Sequence, residues 1–195
     1  MSVLRVFIAI ELSSEISQRL DQVSAELKKR MPVNAVRWVP ARNIHLTLKF
    51  LGDVSSTHLD SLQKMIQAAC GNYAPFDISV GNLGAFPSMH RPRVIWVGIT
   101  APETLPAVQQ SIELGASHLD YPAEDRPFSP HLTLGRLSRN AAPAEQQQIG
   151  QVLSGYNIGF LGAMRVEAVH LIRSELSPGG ARYSRLYSAS LGEPR

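Results

Sequence analysis

Residues 43–50 read NIHLTLKF and residues 129–136 read SPHLTLGR, so His-Leu-Thr-Leu occurs twice in a chain with six histidines. On a β-strand, residues two apart share a face. Each copy would therefore put a histidine and a threonine on one face and two leucines on the other. Leu46 and Leu48, like Leu132 and Leu134, would anchor a strand in a core. His45 with Thr47, and His131 with Thr133, would project together into a cleft.

Two imidazoles facing one cleft suit a reaction that needs a base and an acid at once. An unperturbed pKa of about 6.5 lets one ring be neutral and the other protonated near neutrality. The neutral ring can deprotonate water while the other protonates a leaving oxygen. In-line displacement at phosphorus calls for this, because attacker and leaver stand on opposite sides of the phosphorus. The threonine hydroxyls can donate to the non-bridging oxygens, where negative charge must be held. Arg136 could add a guanidinium to the same phosphate. Its parity on an ideal strand is opposite to that of His131, but Gly135 is a natural site for a bulge that would re-aim it.

The repeat is larger than the word. RVFIAI begins at Arg5, is followed by a helical pattern, and His45 arrives 40 residues later; RVIWVGI begins at Arg93, and His131 arrives 38 residues later. The expected fold is α+β and bilobal. Two pseudo-twofold-related lobes place antiparallel sheets along a central cleft, with helices packed outside. The two lobes intertwine in a single domain over residues 1–195.

The elements that would position the motifs are legible in outline. RVFIAIEL (5–12) reads as a buried strand, and apolar residues at Ile16, Leu20, Val23, Leu27 and Met31 mark a helix ending near Pro32. NIHLTLKFLG is a strand, and Leu59, Leu62, Ile66 and Ala69 mark a second helix. FDISVGNLGAF and RVIWVGI are strands, followed by a helix from Leu105 to Leu119. FSPHLTLGRL, a short helix after Pro143, and the strands MRVEAVHLI and RYSRLYSASL complete the chain, with Ser177–Gly180 as a hairpin loop.

Composition narrows the function classes. A single cysteine, Cys70, excludes an internal disulfide framework and a cysteine-rich zinc site. The apolar run near the N-terminus is broken by Glu11 and is too short for a membrane span, so a soluble cytoplasmic protein is expected. The net charge of +3 is modest, but fifteen of the 19 Lys and Arg residues are Arg, the side chain that matches phosphate oxygens. Neither motif histidine has a further His or carboxylate at ligand spacing, so no metal is expected. His58, His90, His118 and His170 read as surface or satisfied core residues. No G-x-S-x-G or G-x-x-x-x-G-K-[ST] word is present.

Paired H-x-T-x words on two repeated lobes resemble the two-histidine phosphoesterase superfamily. The words RVFIAIEL, VPARNIHLTLKFLGDV, FPSMHRPRVIWVGI, FSPHLTLGRL and HLIRSEL are most similar to its bacterial and archaeal RNA 2′,3′-cyclic phosphodiesterases, historically called 2′-5′ RNA ligases. The resemblance implies hydrolysis of a 2′,3′-cyclic phosphate on RNA ends or related nucleotides to a 2′-phosphomonoester, without metal or cofactor. It implies His45 as proton donor, His131 as proton acceptor, and Thr47, Thr133 and Arg136 as phosphate ligands. The alternatives are 2′-5′ joining of RNA ends, hydrolysis of 2′-5′ linked oligonucleotides, and an RNA-binding module with an inactive cleft. A monomer is expected. For the base of the RNA end, Phe7 and Phe128 are stacking candidates, though each also reads as core; Arg42, Arg91 and Arg93 could meet the backbone.

Overall fold

The computed structural model describes residues 3–177 and 180–192. In the first repeat, β1 (Val3–Glu11) is followed by α1 (Ser14–Arg30), β2 (Val36–Trp38) and β3 (His45–Ser55). α2 (Leu59–Cys70) and β4 (Phe76–Phe86) lead to the second repeat of β5 (Val94–Thr100), α3 (Thr104–Ser117) and β6 (His131–Leu137). α4 (Pro143–Gly155), β7 (Phe160–Val166), β8 (Ala168–Ser177) and β9 (Gly180–Ser190) complete it. Both motif strands begin on their histidine.

Local chemistry explains the boundaries. The Ser13 hydroxyl accepts from the Ile16 N–H at 3.3 Å, satisfying one orphan donor of α1, and Lys28, Lys29 and Arg30 complement the dipole at its other end. α3 stops at Ser117, two residues before the expected end at Leu119. The expected strand MRVEAVHLI is in fact divided at Glu167. The buried positions change parity there, Val166 lying two residues before Ala168 and three before the next buried residue, Val169. β7 and β8 accordingly enter different sheets. The three-residue β2 was not apparent from periodicity, being too short to show any. Of the hairpin loop, Pro178 and Gly179 lie outside the described residues, while Ser177 pairs with Gly180 across its base.

All pairing is antiparallel, in one sheet of order β3-β1-β8-β9 and another of order β2-β6-β5-β4-β7. Leaving β2 aside, the two orders correspond strand for strand: β3 with β6, β1 with β5, β8 with β4 and β9 with β7. Each motif strand pairs with the opening strand of its own repeat. The repeats are nevertheless interlaced. The last hairpin completes the first sheet, and β2 of the first repeat pairs with β6 of the second.

The helices cross over as well. α1 follows β1 but packs on β7, with the Ile16 side chain against Gly162, where an added Cβ would come within 2.8 Å of it. α3 follows β5 but packs on β3 and α2. The apolar faces of both sheets and the helices share one continuous core, which holds Ile8, Ile10, Leu46, Leu48, Ile95, Val97, Leu132 and Leu134. On the opposite face of the first sheet lies a small separate cluster of Phe7, Ala9 and Ile172, with Tyr183 against it. None of the described helices is long and apolar enough to cross a membrane.

Candidate active site

Strand parity delivers the motif side chains as expected. Leu46 and Leu48 are buried in the core, as are Leu132 and Leu134, whereas His45, Thr47, His131 and Thr133 are half-buried on the other face. Each strand then breaks the alternation. On β3 the partners of Ala9 and Ile8 are Thr47 and Lys49, so Leu48 is bulged out of the ladder and Lys49 falls on the core face. On β6 the partners of Trp96 and Ile95 are Thr133 and Gly135, so Leu134 is bulged in the same way. Beyond each bulge the next residue returns to the histidine face: Phe50 opposite Phe7, and Arg136 opposite Val94. The bulge expected at Gly135 is therefore present, and it re-aims Arg136. A side chain at 135 has no room, since a Cβ would lie 2.8 Å from Val36 Cγ1 on the adjoining β2.

The two imidazoles are held identically by the backbone. His45 Nδ1 lies 2.9 Å from the Asn43 carbonyl oxygen, and His131 Nδ1 lies 2.7 Å from that of Ser129. A carbonyl only accepts, so Nδ1 carries the hydrogen in both rings and Nε2 is the atom left for a substrate. Asn43 is itself fixed, its side-chain amide donating to the Ala181 carbonyl at 2.8 Å.

Their surroundings differ. His45 is stacked on Phe7, with ring centroids 4.6 Å apart at 25°, and Tyr183 meets it edge-on at 5.4 Å. Burial holds its pKa below the ordinary histidine value, against the Asn43 carbonyl and the Glu11 carboxylate, which favour the proton. Glu11 is the cross-strand partner of His45 and is ion-paired to Arg185 of β9. His131 is met edge-on by Phe86 at 5.0 Å, with Trp96 at 6.4 Å. The Trp96 indole lies over Gly84, so closely that an added Cβ would overlap the ring.

Tyr183 joins the two halves of the site. It stands against Phe7 and His45 of the first sheet. Burial raises its phenol pKa, and the nearby charges of Arg136 and Arg5 pull it back down. The second-motif arginine thus reaches a residue that touches the first-motif histidine. His170 also belongs to this face, opposite Ala9 on β8 and hydrogen-bonded through Nδ1 to Ser188 Oγ at 2.9 Å. Burial lowers its pKa, Glu11 opposing and Arg185 reinforcing.

Tyr183, Glu11, Arg185, His170 and Phe50 were missed by sequence reasoning. Glu11 left the one usable signal, a carboxylate ending an apolar strand. Other expectations change. Phe7 is 3% exposed and its ring is covered by His45, so it offers no face to a base. Phe128 is half-buried against the main core. Arg42, Arg91 and Arg93 are exposed. Among the described residues, no group of three or more His, Cys, Asp or Glu side chains is placed to hold a metal ion. Cys70 is buried, and burial pushes its thiol up to about 12, so it stays unreactive.

Comparison with known proteins places this site in a family. The model of the 2′-5′ RNA ligase superfamily matches residues 12–178. A Methanothermobacter thermautotrophicus protein named RNA 2′,3′-cyclic phosphodiesterase is 32% identical over 92% of this chain and 95% of its own length. A Thermus thermophilus protein of the same name is 32% identical over 96% of this chain and 90% of its own. Among solved structures, one from Thermus thermophilus superposes with a TM-score of 0.82 at 28% identity, covering 98% of this chain and 100% of that one. E. coli LigT complexed with 3′-AMP superposes with a TM-score of 0.77 at 28% identity, covering 97% and 99%. The fold, the paired motifs and these relatives agree: the chain belongs to the 2′-5′ RNA ligase superfamily.

Proposed function

We propose that this protein hydrolyses 2′,3′-cyclic phosphodiester ends of RNA to 2′-phosphomonoesters, using His45 and His131 as an acid–base pair. The observation that carries the reading is the matched presentation of two Nε2 atoms. Each stands on the first residue of a motif strand, with its Nδ1–H tied to the carbonyl two residues back. Names of relatives over nearly the whole chain support the same activity.

In this scheme His131 Nε2 takes a proton from water as its oxygen attacks phosphorus. His45 donates its Nε2 proton to O3′ as the P–O3′ bond breaks. One P–O bond forms and one breaks, the phosphate stays on O2′, and the two histidines exchange protonation states. Thr47 and Thr133 donate their hydroxyl hydrogens to the non-bridging oxygens, and Arg136 adds a guanidinium to the same charge. His45 begins with a depressed pKa, and the anionic phosphate beside it favours the imidazolium, so the donor is charged by its own substrate. Both proton transfers are thereby assigned to side chains, and the scheme calls for no metal.

The test is product identification from an oligonucleotide ending in a 2′,3′-cyclic phosphate, with chelator present. A 2′-phosphate product is expected, with His45→Ala and His131→Ala each slowing turnover about 10²–10⁴-fold. Near-normal turnover in either variant overturns the pair, and loss of activity on adding chelator overturns the metal-free scheme. Assaying 2′-5′ joining and 2′-5′ oligonucleotide hydrolysis alongside ranks those reactions on the same site, because a 5′-hydroxyl can replace water as attacker.

A further inference from the structure

We infer that Phe50 is the platform on which the terminal nucleobase of the substrate stacks, an assignment that rests on the phosphodiesterase reading above. Burial is inverted at two consecutive positions of β3, where the lysine is inside and the phenylalanine outside: Lys49 is 5% exposed and Phe50 65%. Solvation favours the opposite arrangement for both residues. The bulge at Leu48 is what imposes it. Without the bulge, Lys49 would share the face of Thr47 and Phe50 would enter the core.

The place to which the bulge directs Phe50 is specific. It is the cross-strand partner of Phe7, with ring centroids 6.2 Å apart, and the Phe7 ring in turn lies on His45. Phe50 therefore stands on the catalytic face, one cross-strand pair beyond Thr47, about 7 Å along the strand at ordinary β spacing. In the other motif strand, the residue reached after the same bulge is Arg136. The two strands thus present matched series: histidine, threonine, then phenylalanine in one and arginine in the other. The arginine answers the charge of a cyclic nucleotide, and the phenyl ring answers its apolar, polarisable base. Arg5 lies one pair further on, opposite Asp53, and its charge is felt at Tyr183. Stacking on one ring selects for a base without selecting which base.

The test compares the unaltered protein with Phe50→Ala and Phe50→Trp on two substrates, adenosine 2′,3′-cyclic phosphate and glycerol 1,2-cyclic phosphate, which has no base. Phe50→Ala is expected to reduce the kcat/KM preference for the nucleoside substrate about tenfold or more, chiefly through KM, and Phe50→Trp to preserve it. A second arm needs no turnover. Calorimetry of adenosine 2′-monophosphate and inorganic phosphate should show the affinity ratio between them falling by a similar factor in Phe50→Ala. An unchanged preference, or an equal loss on both substrates, overturns the assignment. Absence of turnover on every cyclic phosphate by the unaltered protein overturns the phosphodiesterase reading instead, and the affinity ratio then decides on Phe50 alone.

Discussion

The Phe7 ring lies nearly parallel to the imidazole of His45, with centroids 4.6 Å apart and 25° between the planes. The pseudo-symmetric His131 has no such partner, being met edge-on by Phe86 at 88°. The backbone clamps on the two imidazoles are alike, so the supporting aromatic is what distinguishes them. A stacked ring restricts rotation about the Cβ–Cγ bond and shields one face of the imidazole from water.

Phe7→Leu tests that support while keeping the site apolar. Stability should fall by only about 1 kcal/mol, as for a volume-conserving core exchange. The His45 ring is then free to swing, and kcat should fall about tenfold to a hundredfold, because small misplacements of a reacting group are costly. Urea unfolding and steady-state kinetics on the same preparation check both. A kcat loss no larger than the stability loss explains would remove the positioning role.

The pH dependence can assign donor and acceptor. His45 faces Glu11 on β1 and Tyr183 on β9, with Arg185 ion-paired to Glu11 and His170 nearby on β8. Its pKa is already lowered by burial, and Glu11 works against that lowering. Glu11→Gln removes the opposing carboxylate and frees the Arg185 charge, so the His45 pKa moves further down. If His45 is the donor, its protonated form is the active one, and the basic limb of kcat/KM shifts to lower pH. The acidic limb shifting to lower pH would make His45 the acceptor and reverse the proposed roles.

The paired site was legible because it is written in period two. His45, Thr47, His131 and Thr133 each follow from alternation on a strand, and Gly135 announced the bulge that turns Arg136. Nothing comparable announced the bulge at Leu48, since neither Leu48 nor Lys49 is a residue that favours one. Phe50 was therefore assigned no place and Lys49 no burial. Glu11, His170, Tyr183 and Arg185 enter the site only because β8 lies beside β1 and β9 beside β8. The pairing of Ala9 with His170 joins residues from opposite ends of the chain, and no local pattern encodes it. The division at Glu167 was hidden for a related reason. One residue between two apolar stretches reads as continuity when their destinations are unknown.

Arg136 supplies a further prediction. Its guanidinium is proposed to meet a phosphate oxygen, and its charge is felt at Tyr183 on the opposite sheet. Arg136→Ala should lower kcat/KM about tenfold to a hundredfold, on the scale of a hydrogen bond to a charged group. Arg136→Lys should recover only part, because an ammonium keeps the charge but loses the planar fork. Full recovery by lysine would reduce the role to charge alone.

The buried lysine ties the first motif to the second. Lys49 Nζ donates to Glu113 Oε1 at 2.5 Å and to the Pro122 carbonyl at 2.6 Å. Glu113 also accepts from the Glu124 N–H at 2.8 Å and from Gln109 Nε2 at 3.3 Å. One network thus fastens the β3 bulge to α3 and to the chain that runs into His131. Lys49→Met leaves a partly buried carboxylate and a carbonyl without their donor, and should cost about 3 kcal/mol in urea unfolding at neutral pH. Lys49→Met with Glu113→Leu should regain much of this, because removing both charges also removes the unpaired one. Turnover separates stability from positioning. If the network only holds the fold, the double variant recovers kcat with stability; if it also sets the approach to His131, kcat stays low after stability returns. The second outcome is expected, because Pro122 and Glu124 lose their anchor in the double variant as in the single one.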